Sequence, residues 1–143
     1  MCLLQTVKMK LLVILLIFHV AFAAGAFRPA DIVRFQRAVE KCRISEDVSD
    51  EVLERVLNGE IVDDPHFNCF AACLLEEFQL LKPDGSFNDE LAVTKIPQDA
   101  DFAQQLTDAI KTCSARRDPD KCTTAHLLFV CMYENNIPTL LFG

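Results

Sequence analysis

Apolar residues recur at three- and four-residue spacing along most of this chain, and no stretch alternates convincingly with period two. That pattern predicts an all-α protein. A first helix carries Ile32, Phe35, Val39 and Cys42 on one face, with Arg34, Arg37 and Lys41 interleaved and Pro29 near its start. A short second helix presents Val52, Leu53, Val56 and Leu57, with Asp50 and Glu51 in its first turn and Asn58-Gly59 at its end. The third helix has the clearest signals. Asp64 suits the N-cap and Pro65 the first position, and Phe67, Phe70, Ala71, Leu74 and Phe78 line one side. The apolar run continues to Leu80, and Lys82-Pro83-Asp84-Gly85 reads as the turn that closes it. Asn88 caps a short fourth helix through Leu91 and Val93, which Ile96-Pro97 stops. A fifth aligns Phe102, Leu106, Ala109, Ile110 and Cys113. Asp118-Pro119 opens a sixth, apolar nearly all round from Ala125 to Tyr133 and interrupted only by His126. Such a helix is expected to be surrounded by the others. Residues 137–143 form an apolar tail with no helix of its own.

The start of the chain has a different character. Lys8 and Lys10 precede an apolar run, Leu11 to Phe22, broken only by His19, and small residues follow. Residues 1–26 therefore read as a secretory signal peptide cleaved after Ala24-Gly25-Ala26, with Ala21-Phe22-Ala23 as a second fit. The run is short for a bilayer anchor, and no later segment is apolar enough to insert stably in a membrane. Residues 27–143 make one helical domain with a modest core. Removing Lys8 and Lys10 leaves 12 basic against 21 acidic residues, a net charge of −9. That balance argues against nucleic acid and anionic membrane as partners.

Cleavage also removes Cys2, leaving six of the seven cysteines. An even set in a secreted chain implies three disulfides, each contributing about 3–4 kcal/mol in the chain-entropy account. Cys69 and Cys73 point the same way on the third helix. Their side-chain roots lie roughly 5–6 Å apart, whereas a disulfide wants roughly 3.5–4.5 Å. Cys122 and Cys131 sit on opposite faces of the sixth helix, about 13 Å apart along the axis. Neither pair should bond internally. Discarding those bonds still leaves open most of the 15 connectivities that six cysteines allow.

The full spacing is Cys42-x26-Cys69-x3-Cys73-x39-Cys113-x8-Cys122-x8-Cys131. Together with the signal peptide and the helical segments, it resembles the insect odorant-binding proteins, the pheromone- and general-odorant-binding family. Phe70-Ala71-Ala72-Cys73-Leu74-Leu75-Glu76-Glu77-Phe78 followed by Leu81-Lys82-Pro83-Asp84-Gly85 is also similar to the family's third helix and turn. The resemblance implies the pairing Cys42–Cys73, Cys69–Cys122 and Cys113–Cys131. It implies a compact bundle of about six short helices, stapled around an internal apolar cavity. The function it implies is a secreted, extracellular carrier of small hydrophobic odorants or pheromones, monomeric or homodimeric, with a membrane odorant receptor as a further partner. Inward positions are the candidate ligand contacts: Leu53, Leu57, Phe70, Leu74, Leu91, Leu106, Ile110 and Phe129, with Leu140 and Phe142 from a tail that folds back as a wall or lid. Tyr133 joins them, and Tyr133, Thr124 and Asn136 could each supply a hydrogen bond to a polar group of the ligand, although Asn136 reads more simply as a surface residue. The alternatives are a carrier of the same fold for a lipid, hormone or defence compound, and a secreted interaction protein that binds another protein.

Other chemistry finds little support. No G-x-S-x-G or comparable nucleophile motif is present, and the cysteines are expected in bridges, so catalysis and cofactors are not expected. Cys69, Cys73 and His66 could mimic a zinc cluster, but secreted paired cysteines are normally bridged, so no metal is expected. Glu60, Asp63 and Asp64 read as a solvated acidic patch. His66 and His126 could protonate near pH 6 and loosen the packing, although ordinary hydrogen-bonded histidines are the more economical reading.

Overall fold

The structure, a computed structural model, describes residues 11–16 and 29–142. The chain divides into two units, residues 1–37 and residues 38–143. In the first, residues 11–16 are helical and exposed, and they fall within the stretch read as a signal peptide. Both candidate cleavage motifs lie outside the described residues. No described helix is long and apolar enough to cross a membrane. Helix α1 (Pro29–Glu46) runs across the division between the units. Its apolar face is buried only from Ala38 onward. Cys42 is fully buried, whereas Ile32 and Phe35 are about half exposed. Periodicity identifies the apolar side of a helix, not the length over which a partner covers it.

The second unit is built from short helices with well-satisfied ends. Helix α2 (Asp50–Leu57) starts at Ser49, whose side chain accepts from the Val52 N–H. It ends in a Schellman motif. Gly59 takes a φ of 86° while its N–H reaches Val56 O (2.9 Å) and the Glu60 N–H reaches Arg55 O (3.0 Å). Helix α3 (Pro65–Glu77) begins as its sequence predicts. Asp64 Oδ1 accepts from the Phe67 N–H at 2.9 Å, and Pro65 sits where no N–H is needed. It ends sooner than the apolar run, in a second Schellman motif. There Gln79 adopts φ 60°, and the Leu80 N–H turns back to Leu75 O at 2.7 Å. The Lys82–Gly85 turn follows, closed by an isolated bridge between Leu81 and Phe87.

Helix α4 (Asp89–Thr94) is capped by Asn88, and helix α5 (Ala103–Cys113) lies after the Ile96-Pro97 stop. Helix α6 (Lys121–Glu134) starts later than Asp118-Pro119 suggests. The N-cap is Asp120, which accepts from the N–H groups of Cys122 and Thr123. Asp118 instead accepts from the Asp120 N–H and exchanges two hydrogen bonds with the Thr124 side chain. The tail also departs from expectation. Ile137–Phe142 is a further helix, α7. Pro138 falls in its first turn, where a missing N–H and a fixed φ are tolerated, and Asn136 (φ 57°) makes the corner from α6.

Among the described residues no extended strand occurs, so the all-α reading holds. Helices α3 and α6 form the most extensively packed pair. Ala72 and Ala125, both essentially buried, let them approach closely. The buried apolar residues do not merge into one cluster. Val48, Val62, Phe67 and Phe70 form one with Cys42, Ala92, Ile96, Ala103 and Ile110 form another on the α4–α5 side, and two smaller ones centre on Ala72 with Leu81 and Ala125 and on Leu128 with Cys113 and Cys131.

Candidate ligand-binding site

Three disulfides set the frame. Cys42–Cys73 ties α1 to α3, Cys69–Cys122 ties α3 to α6, and Cys113–Cys131 ties α5 to α6. This is the interlocked arrangement that the family resemblance implies, one of those the spacing alone leaves open. Cys69 and Cys73 diverge to different helices, as do Cys122 and Cys131.

The cysteine of α6 that faces α3 belongs to a stripe. Cys122, His126, Phe129 and Tyr133 recur at spacings of four, three and four, so they share one face. Each meets α3 or the loop before it. Cys122 bonds Cys69. His126 Nε2 lies 3.8 Å from Asp63 Oδ1. The Phe129 ring stands edge-on to Phe67 with centroids 5.8 Å apart. The Tyr133 hydroxyl donates to Gly59 O at 2.8 Å. Covalent, polar and aromatic contacts thus run in series along one seam. Phe70 extends the aromatic line, 6.0 Å from Phe67.

The candidate contacts distribute unevenly over this frame. Phe70 is buried, and Leu53 and Leu74 pack partly covered on its cluster. Ile110 and Leu106 belong to the α4–α5 cluster. Leu91, Phe129 and Leu140 are half-buried. Leu57 is a correction. It is 86% exposed, at the last turn of α2. Val52, Leu53 and Val56 pack on the core cluster, and a helix of eight residues does not turn its final leucine inward with them. The Phe142 side chain lies outside those described.

The polar candidates are also sorted. Thr124 is fully buried, but its hydroxyl donates to Asp118 O (2.9 Å) and accepts from the Asp118 N–H (3.0 Å), so it closes the α6 entry loop. Asn136 is an exposed corner residue. The Tyr133 proton is committed to Gly59 O. The acidic patch before α3 resolves into separate roles. Asp64 caps the helix, Glu60 pairs with Arg55 at 2.8 Å, and Asp63 Oδ1 accepts from Asn68 Nδ2 at 2.9 Å. Asn68 was not singled out by periodicity. It is a polar residue in an otherwise apolar run, at 8% exposure, and that mismatch was the available signal. His66 is an ordinary surface histidine, its Nδ1 2.8 Å from Glu46 O.

The outer rim is charged and well paired. Hydrogen bonds from Thr123 hold the Asp120 carboxyl below its ordinary value. Bonding to Glu76 at 2.7 Å holds the Lys121 ammonium above its own. A surface hollow of about 590 Å³ lies beside them, lined by Glu76, Lys82, Asp84, Asp120 and Lys121 among others. Its charged lining does not suit an apolar cargo.

Comparison with known proteins gives concordant matches. The profile of the PBP/GOBP family matches residues 24–135. General odorant-binding protein 72 of Anopheles gambiae is 30% identical over 107 residues, 71% of this chain and 85% of that protein. The crystal structure of the Locusta migratoria odorant binding protein lmigOBP1 superposes with a TM-score of 0.65 at 25% identity, covering 73% of this chain and 80% of the other. Odorant binding protein 7 of Anopheles gambiae, solved in complex with an azo compound, has the same fold. Its TM-score is 0.65 at 23% identity over 76% of this chain and 87% of that one.

Proposed function

The chain belongs to the PBP/GOBP family, and on that premise we propose that it is a secreted carrier that sequesters and transports small hydrophobic ligands, odorants or pheromones, without making or breaking a bond. The observation that carries this reading is the divided core. In a domain of this size buried apolar side chains usually form one contiguous cluster. Here, among the described residues, the α1–α3 cluster shares no packed side chain with the three others, which are joined through Leu75, Phe87 and Met132, and Leu53, Leu74, Leu106 and Phe129 are left only partly covered. An apolar ligand among them would cover the same surface. The disulfides support the reading, because a cavity is costly and cross-linked helices resist collapsing into it. The structurally similar Anopheles gambiae protein that holds an azo compound supports it as well.

Secretion is proposed with it. The segment ahead of Phe27 acts as a cleaved signal, and the exported chain should begin there or about three residues earlier. N-terminal sequencing of protein collected from medium checks that point. The carrier function is tested with a polarity-sensitive fluorescent probe. Saturable binding of one probe per chain, reversed by long-chain aliphatic competitors, is the expected result. Absence of probe binding by the oxidised protein would refute the carrier and leave a protein-binding role as the remaining reading. Native mass spectrometry of protein taken from its source would show a bound ligand directly.

A further inference from the structure

The seam between α3 and α6 contains two polar atoms that the protein covers without pairing. Asn68, in the first turn of α3, donates from Nδ2 to Asp63 Oδ1 at 2.9 Å. That bond assigns the other arm of the carboxamide as oxygen. Asn68 Oδ1 is buried and finds no hydrogen-bond partner among the described residues. His126, on α6, approaches the same carboxylate oxygen with Nε2 at 3.8 Å. Its Nδ1 is likewise buried and finds no partner among the described residues. Two side chains from two helices therefore approach Asp63, Asn68 through a hydrogen bond and His126 at a separation too long for one.

The bond to Asp63 settles the chemistry at Asn68, because the amide end donates and Oδ1 is left as an acceptor that wants a donor. Burying an acceptor without a donor is unfavourable, so something of matching chemistry is expected there. A metal cation is a poor match, since no group of three His, Cys, Asp or Glu gathers among the described residues. The surroundings are apolar and aromatic, with Phe67 and Phe129 edge to face. The position is also rigid. Asn68 precedes Cys69 and His126 lies one turn beyond Cys122, and these cysteines form the bond that holds the two helices together.

We propose that Asn68 Oδ1 anchors the polar end of the carried ligand and selects for a head group that donates a hydrogen bond, an alcohol. The inference rests on the carrier reading above. An aldehyde or ester of the same chain length brings only lone pairs and leaves Asn68 Oδ1 unpaired. An ionised carboxylate fares worse, because Asp63 is already negative beside the site. The aliphatic chain lies along the Phe67, Phe70 and Phe129 rings.

The test is competition of dodecanol, dodecanal and dodecyl acetate for one fluorescent probe on the oxidised protein. Dodecanol should displace the probe at about tenfold lower concentration than the other two, the effect of one hydrogen bond to an otherwise unpaired buried acceptor. Asn68→Leu should pull that ratio toward one while leaving displacement by dodecanal in place. On the unsubstituted protein, the 13C signal of the Asn68 side-chain carbonyl should shift with dodecanol and not with dodecanal, a readout that does not depend on the variant folding. Equal potency of alcohol and aldehyde, or an Asn68 carbonyl signal indifferent to both, would overturn the alcohol anchor and leave the carrier standing. If none of the three displaces the probe, the carrier reading falls and the anchor falls with it.

Discussion

Thr124 of α6 and Asn68 of α3 are the two buried polar side chains of the described core, and the protein treats them in opposite ways. Thr124 gives its proton to Asp118 O and takes the Asp118 N–H in return, so both of its capacities are used within six residues of sequence. Asn68 uses its amide on Asp63 and leaves its carbonyl oxygen bare, next to a histidine with a bare nitrogen of its own. A satisfied buried group closes a loop, whereas an unsatisfied one is a cost that folding alone does not explain. The difference separates a polar residue that builds the fold from one available to a ligand.

The contrast can be broken most severely at the bond that joins the two helices of the α3–α6 seam. Replacing Cys69 and Cys122 together by Ser should lower stability by about 2–5 kcal/mol, seen as a lower urea midpoint, and should abolish the preference for alcohols before it abolishes helicity. Thr124→Val comes next. It strands the Asp118 N–H and carbonyl together and should cost about 1–3 kcal/mol in urea denaturation, with the order of probe displacement by the three competitors unchanged. A ligand preference that moved with Thr124→Val would merge the two groups and remove the distinction. Tyr133→Phe should cost about 1 kcal/mol, because the Gly59 carbonyl it releases lies at a surface where water can replace the hydroxyl.

The smallest effect belongs to the α6 cap. The Asp120 carboxyl is held below 3.8 by its bonds to Thr123. A depressed folded value means that the stabilisation is present above that ordinary value and is lost as pH falls through the folded one. The loss of stability between pH 5 and pH 3 should therefore be slightly smaller in Asp120→Asn, which keeps a capping side chain without the titration. An identical acid profile for the two proteins would remove any role for the charge.

Local signals made much of the fold legible. Asp64-Pro65, Asn88 and Asn58-Gly59 each mark a helix end through backbone chemistry that acts within a few residues, and each end lies where it was read. The α3 terminus was displaced because Gln79 entered the left-handed region without the glycine that usually announces it. The α6 start was displaced because Asp118 and Asp120 compete for the same cap, and Thr124 decides between them from four residues inside the helix. The tail became a helix because a proline in a first turn does not prevent one.

The candidate site was less legible. Apolar periodicity placed Phe70, Leu74 and Ile110 inward, yet it also named Leu57, which α2 leaves exposed. It passed over Asn68 and Asp63, whose meaning depends on each other and on His126, more than fifty residues later in the chain. By itself the sequence determined the helices, their caps, the cysteine set and the sides that must be covered, because hydrogen bonding and side-chain spacing along a helix are local. Only the tertiary structure decided which cysteine met which, how far each apolar face was buried, and which buried polar atoms found partners. Those outcomes depend on contacts between segments distant in sequence, and spacing along the chain carries no measure of them.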